Sequence, residues 1–255
     1  MALQETIISA DLDGLAANAA LWLLEALADA EAEGARRLRV CLSGGSTPQR
    51  LYALLAAPAW SARLPWEKIE WYFGDDRFVP HDHPDSNARM AREALFDHAP
   101  ATAGRVHYIP WGPDIVACAA AYERTLRAAM ARDREEDPGR PLFDAVICGL
   151  GRDGHTASLF PGKPALAVTD RLATAVPEAG QPPFTPRITL TFPALNDSRF
   201  TAFLVAGADK RPALERLRAG ADLPAARITA KRCLTWLLDR AAAGADAERP
   251  APGVS

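Results

Sequence analysis

The chain has 255 residues, 49% hydrophobic and 24% charged, the balance of a globular protein that needs no staples to build a core. Its formal net charge of -3 offers no general basic field to nucleic acid, so an anionic ligand would need a local cluster of cations and backbone amides. No run of about 18 apolar residues occurs and no basic segment precedes an apolar core at the start, which argues against a membrane span and a signal peptide.

In chain order, residues 6–9 predict a short strand, and Asp11 is placed to cap a helix over about 12–33. Leu12, Leu15, Ala16, Ala19, Leu23 and Leu27 share one face of it, and Gly34 stops it. A strand at 38–42 leads into Ser43-Gly-Gly-Ser-Thr-Pro48 and a helix to about 55. A strand at 69–73 ends in Gly74-Asp-Asp-Arg77, read as a charged turn. A helix from Ser86 or Asn87 to about 96, a strand at 106–109 and a helix over 113–132 follow. Residues 133–140 read as a solvated loop, ahead of a buried strand at 143–148. Strands at 171–176 and 187–191 flank a Pro-rich loop over 177–186, then come a strand at 200–205, a helix to about 217 and a last strand at 234–238. From Ala241 onward Ala, Gly and Pro lack periodicity, so the expectation is one domain over 1–240 and a flexible tail over 241–255.

Strands alternating with helices predict an α/β fold with a mostly parallel twisted sheet. Ligands of such sheets bind outside the carboxyl ends of the strands. The polar motifs after the strands at 38–42, 69–73, 143–148 and 200–205 would then gather at one edge.

The first motif is suited to an anion. Gly44 and Gly45 free the backbone to curl, Ser46 and Thr47 add hydroxyl donors, and the following helix presents its N–H groups and the positive end of its dipole. Thr47 is expected as the helix cap and Pro48 as the first helical residue. The Gly-x-x-x-x-Gly-Lys spacing of a nucleoside triphosphate loop is missing. Arg77, Arg187 and Lys210, each at or near a strand end, are candidate cations of a phosphate clamp. His81 and His83 lack ligand-spaced partners, and the four cysteines form no Cys-x-x-Cys pair, so neither a metal nor a cofactor is expected.

The longest motif is Gly149-Leu-Gly-Arg-Asp-Gly-His-Thr-Ala-Ser-Leu-Phe-Pro-Gly162, a glycine-rich turn after a buried strand. It carries His155 two residues after Asp153, a candidate general base beside a carboxylate. Asp153 or Asp75 is expected to orient the imidazole. Ser158 does not sit in a Gly-x-Ser-x-Gly elbow, which argues against covalent catalysis.

Together these stretches, with Gly74-Asp-Asp-Arg-Phe-Val-Pro80, Asp85-Ser-Asn87, Arg187-Ile-Thr-Leu-Thr191 and the Gly207 to Lys210 turn, resemble the 6-phosphogluconolactonase family over about residues 38–238. One departure is Asp76, where the family usually has Glu; the shorter carboxylate keeps the charge and loses reach. The resemblance implies a single-domain Rossmann-like fold, with helices on both faces of the sheet, shared with glucosamine-6-phosphate deaminases and ribose-5-phosphate isomerases. It implies hydrolysis of 6-phospho-D-glucono-1,5-lactone without a metal, with His155 as base and Arg77 and Lys210 as substrate-binding cations. A lactone is an activated ester, so water and a base with a pKa of about 6.5 suffice. The expected partner is a small sugar phosphate lactone, with no nucleic acid and no membrane, in a cytoplasmic monomer or small homo-oligomer. Two rivals are a glucosamine-6-phosphate deaminase and a sugar-phosphate sensor without catalysis. Deaminases of this fold usually place an acid in the stretch after the His; here Thr-Ala-Ser-Leu-Phe-Pro161 follows, without one. A sensor could lose Asp153 and His155, which this chain keeps.

Overall fold

A computed structural model describes residues 3–100, 105–135 and 137–244. The chain order is β1 (Leu3–Ser9), α1 (Leu12–Ala32), β2 (Leu38–Leu42), α2 (Ser46–Ala56), α3 (Pro58–Ser61), β3 (Ile69–Phe73), β4 (Asp75–Arg77), α4 (Asn87–Ala94) and β5 (Val106–His107). It continues with α5 (Ile115–Arg134), β6 (Phe143–Gly149), β7 (Ala173–Val176), β8 (Arg187–Leu190), α6 (Phe192–Asn196), β9 (Ser198–Val205), α7 (Arg211–Arg218), β10 (Cys233–Asp239) and α8 (Arg240–Ala243).

Seven strands form one sheet in the order β1-β10-β9-β6-β2-β3-β5, every neighbouring pair parallel. Every residue of β2 is buried. Successive side chains of a strand point to opposite faces, so both faces of the sheet are covered there, as a parallel sheet requires. Helix α1 supplies cover through Leu15, Ala19, Leu23, Leu27 and Ala30, and Asp11 caps it by accepting from the Gly14 N–H at 2.8 Å. Gly34 ends it with φ of +90°.

Two buried tyrosines fix the strand ends that lead to the polar motifs. The Tyr52 hydroxyl, on α2, accepts from the Ser43 N–H at 2.9 Å and donates to the Ser43 carbonyl at 2.8 Å. The Tyr122 hydroxyl, on α5, does the same for Phe73, at 2.9 and 2.8 Å. Burial pushes both phenols far above their ordinary range, so they remain neutral donors and acceptors.

Several expectations change. Gly74-Asp-Asp-Arg77 is not a solvated turn. Asp75–Arg77 pairs antiparallel with Arg187–Leu190, which pairs with Ala173–Val176, so a second, three-stranded sheet stands beside the main one. The strand at 106–109 shrinks to Val106–His107. The run from 133 to 140 is a solvated loop only in part: residues 135 and 137–139 are exposed, and its two ends are not loop. Asp133 and Arg134 belong to α5, and Arg140 is buried. The fully buried Asp144 accepts from the Arg140 guanidinium at 3.1 Å and from the backbone N–H of the fully buried Arg39 at 2.8 Å, and the Arg39 guanidinium lies 3.3 Å from Asp133. Arg39 also caps the carbonyls of Ala129 and Pro141, at 2.7 and 3.0 Å. Burial penalises these charges, and the arrangement stands because each cation has a carboxylate and carbonyls to meet. At the C-terminus, Ala242 and Ala243 are buried in α8, so ordered structure runs past 240; residues 245–255 lie outside those described.

Candidate active site

The end of β2 turns at Gly44 and Gly45 into α2. Gly45, at φ of +102°, is the N-cap, and the helix begins at Ser46 rather than at Pro48. Pro48 is tolerated two residues further in because the whole first turn lacks intrahelical partners for its N–H groups. A side chain at Gly44 would overlap the carboxamide of Asn87, which lies against it. Asn87 is held there by Asp75 and Asp76. Its Nδ2 donates to the Asp75 carbonyl at 2.9 Å and its N–H to Asp76 at 2.6 Å. Asp76 also accepts from the Ser86 hydroxyl at 3.0 Å and from the N–H groups of Arg77 and Ala88, at 2.8 and 3.1 Å. Asp76 therefore anchors the start of α4, a task for a short carboxylate, and is committed away from ligand.

After β6 the glycine-rich turn is closed by Gly151 N–H to the His155 carbonyl at 2.8 Å and Gly154 N–H to the Gly151 carbonyl at 3.0 Å. Gly154 adopts φ of +90°, and Ala157 is left-handed at +47°, a conformation that costs about 1 kcal/mol or more for a residue with a Cβ. The His155 ring packs on Phe160, with centroids 4.5 Å apart. Its Nδ1 lies 2.5 Å from Asp153 Oδ1, which also accepts the His155 N–H at 3.1 Å. Gln181, in the loop between β7 and β8, donates to the other oxygen of Asp153 at 3.2 Å. Burial opposes the charge of Asp153, but the hydrogen bonds and charge of His155, with Gln181 adding to them, outweigh it and hold the carboxyl at about 2. An ionised Asp153 keeps the proton on Nδ1 and leaves Nε2 with a lone pair, the state a base needs.

Of the two carboxylates expected to orient the imidazole, Asp153 makes the contact. Asp75 is buried elsewhere in the wall. Its Oδ2 accepts from the Ser158 hydroxyl at 2.5 Å and lies 4.0 Å from Arg187 Nη1. Ser158 is fully buried, donates to Asp75 and is not part of the cleft wall.

These turns enclose a cleft of about 640 Å³ at the carboxyl ends of β2, β3, β6 and β9. Its wall includes Gly44, Gly45, Ser46 and Thr47 on one side and Arg77, Arg187, Lys210, Asp75 and His155 around the rest. Asp153 alone among the expected residues is not part of the wall; it lies behind His155, bonded to its Nδ1. The buried Arg187 donates to the Pro183 carbonyl at 3.1 Å and stacks over Phe160. Arg77 donates to the Asp85 carbonyl at 2.6 Å. Lys210 Nζ lies 3.8 Å from Asp209. His81 and His83 bond backbone groups of Ile109 and Asp85 instead. Among the described residues, no cluster of three or more His, Cys, Asp or Glu could hold a metal, and no helix is long and apolar enough to cross a membrane.

Four residues of the cleft wall were not singled out from the sequence: Asn87, Arg152 and Ala157, which lie within the stretches that carry the resemblance, and Gln181, which lies outside them. Gly44 hinted at a close approach without saying what approaches.

The family model described as "Glucosamine-6-phosphate isomerases/6-phosphogluconolactonase" matches residues 10–236. A 6-phosphogluconolactonase of Nostoc sp. is 44% identical over 216 residues, 82% of this chain and 85% of the relative. The crystal structure of 6-phosphogluconolactonase from Thermotoga maritima superposes with a TM-score of 0.80 at 31% identity, covering 92% of this chain and 99% of that one. A monomeric glucosamine-6-phosphate deaminase shares the fold, with a TM-score of 0.76 at 19% identity over 94% and 98% of the two chains. The chain is thus a member of the glucosamine-6-phosphate isomerase/6-phosphogluconolactonase family.

Proposed function

We propose that this chain is a 6-phosphogluconolactonase. It hydrolyses 6-phospho-D-glucono-1,5-lactone to 6-phospho-D-gluconate in the oxidative pentose phosphate pathway. The observation that carries the reading is a single cleft holding both the His155–Asp153 pair and an anion cradle of helix N-terminus and cations. The names of the relatives it resembles support it.

His155 Nε2 takes a proton from water as the water oxygen bonds to C1 of the lactone. Negative charge collects on the carbonyl oxygen. Of the N–H groups in the 149–154 turn, those of Gly151 and Gly154 are already bonded within it, so the charge falls to the turn's other N–H groups or to a cation. The bond from C1 to the ring oxygen then breaks, and the imidazolium gives its proton to that oxygen, which becomes the 5-hydroxyl. The ionised Asp153 stabilises the imidazolium in between. The phosphate, remote from C1, rests on residues 44–47 with Arg77, Arg187 and Lys210, and its binding energy positions the carbonyl. The chemistry calls for no metal, and the proposal includes a cytoplasmic enzyme that works as a monomer or small homo-oligomer.

The test is lactone hydrolysis by the purified chain and by His155→Ala. Turnover in the variant should fall by about 10² or more, while 6-phosphogluconate binds with similar affinity. Near-normal turnover would remove His155 as the base; ammonia release from glucosamine 6-phosphate instead would overturn the lactonase reading.

A further inference from the structure

The cations of the cleft are not equally committed. Arg187 is buried against Asp75, Pro183 and Phe160, and Arg77 spends a nitrogen on the Asp85 carbonyl. Arg152 and Lys210 differ. Among the described residues, the one partner recorded for either side chain is Asp209. Arg152 Nε donates to Asp209 Oδ2 at 2.8 Å, and Lys210 Nζ lies 3.8 Å from the same oxygen. One carboxylate thus stands between two cations, which leaves net positive charge on this part of the wall. All three residues line the cleft, and the Arg152 side chain is 75% exposed.

We propose that Arg152 is a phosphate-binding cation of this cleft, kept aligned by Asp209 and released to the anion as it arrives. The proposal rests on reading the cleft as a phosphosugar site. A phosphate dianion offers more charge and more acceptor oxygens than the half-exposed Asp209 carboxylate, so it outcompetes that carboxylate for the guanidinium. The backbone around Arg152 lets the side chain swing without disturbing the base. Gly151 is fixed by its bond to the His155 carbonyl, and Asp153 by its bonds to His155 and Gln181. The Arg152–Asp209 pair also joins the turn that carries His155 to the turn that carries Lys210, residues 57 apart in sequence. Drawn inward, Arg152 would join Lys210 on the phosphate held at residues 44–47, all of which line the same cleft. Asp209 serves as the counter-charge that keeps two neighbouring cations from repelling each other until then.

The experiment is calorimetric titration of the full chain and of Arg152→Ala, Arg152→Lys and Asp209→Asn with inorganic phosphate and with 6-phosphogluconate, at low and high salt. Loss of one charge-assisted bond should weaken both ligands about tenfold or more in Arg152→Ala, with a shallower salt dependence. Arg152→Lys should recover part of the loss, and Asp209→Asn should bind more tightly than the wild type because the competing carboxylate is gone. Affinity in Arg152→Ala within twofold of wild type would overturn the proposal. So would an Asp209→Asn variant weakened as much as Arg152→Ala, since the pair would then only brace two turns. A wild-type chain that binds neither ligand would instead sink the phosphosugar reading of the cleft. Absent lactone turnover with phosphate binding intact would remove the lactonase function and leave Arg152 in place.

Discussion

Gly151 lies against the imidazole of His155 so closely that a Cβ at position 151 would run into the ring, with Cγ only 2.7 Å away. The glycine that opens the turn is therefore a contact surface for the base as well as a flexible link. The ring is held by Gly151, by Phe160 at 4.5 Å between centroids and by Asp153 at Nδ1. Little freedom remains for Nε2, which is the atom the proposed chemistry uses.

Gly151→Ala tests that contact. The methyl group must push the imidazole aside, and a shift of about 1 Å at a reacting group can cost about 10² in rate. We expect turnover to fall by about that factor while thermal stability drops only modestly, because the turn is at the surface of the cleft. Steady-state kinetics beside a melting curve reads both. Full activity in a folded variant would show that the ring has room to spare.

Asp153 makes a prediction about pH. Its folded carboxyl sits at about 2, below the ordinary value of about 3.9, so the folded chain releases this proton more readily than the unfolded one. The stability it contributes is complete above about pH 4 and fades as pH falls through about 2. With screening by solvent allowed for, that contribution is about 1 kcal/mol. Asp153→Asn should be less stable than wild type by about that amount at pH 7, and the two denaturation curves should converge as pH falls from 4 to 2. The same variant should lose about tenfold or more in turnover, since an amide cannot stabilise the imidazolium. A stability gap undiminished between pH 4 and pH 2 would contradict the assignment.

Asp144 lies at the other end of the sheet, near the start of β6, where it meets Arg39 and Arg140. Asp144→Ala would leave the buried Arg140 guanidinium and the Arg39 backbone N–H without their shared carboxylate, and breaking such a buried pair costs about 3–5 kcal/mol. Urea unfolding should show that loss, while the Michaelis constant of the folded fraction stays close to wild type. A loss under about 1 kcal/mol would mean that solvent or Asp133, 3.5 Å from Arg140 Nε, suffices as its partner.

The sheet was legible because its strands are short, largely apolar runs, interrupted by single charges such as Arg39 and Glu70. Leu38–Leu42 and Ile69–Phe73 match their expected bounds, since a strand buried on both faces announces itself in composition. Asp75–Arg77 was not legible as a strand. Three charged residues carry no apolar period, and their pairing with Arg187–Leu190 depends on chain over a hundred residues away. The buried Arg39, Arg140 and Asp144 were hidden for a similar reason, because local charge reads as solvated until its partners are known.

For the site, the sequence by itself determined the chemical inventory: a His beside an Asp, a glycine-rich anion turn and cations after parallel strands that had to share an edge. These follow from covalent order and from the rule that crossovers return every strand in one direction. Tertiary structure decided the partnerships. It put Asp153 rather than Asp75 on the imidazole, spent Ser158 on Asp75, placed Asn87 over Gly44 and set Arg152 against Asp209. Such choices turn on separations of a few ångströms between residues dozens of positions apart. Hydrogen bonds and ion pairs are short-ranged and directional, so only the packed fold can assign them.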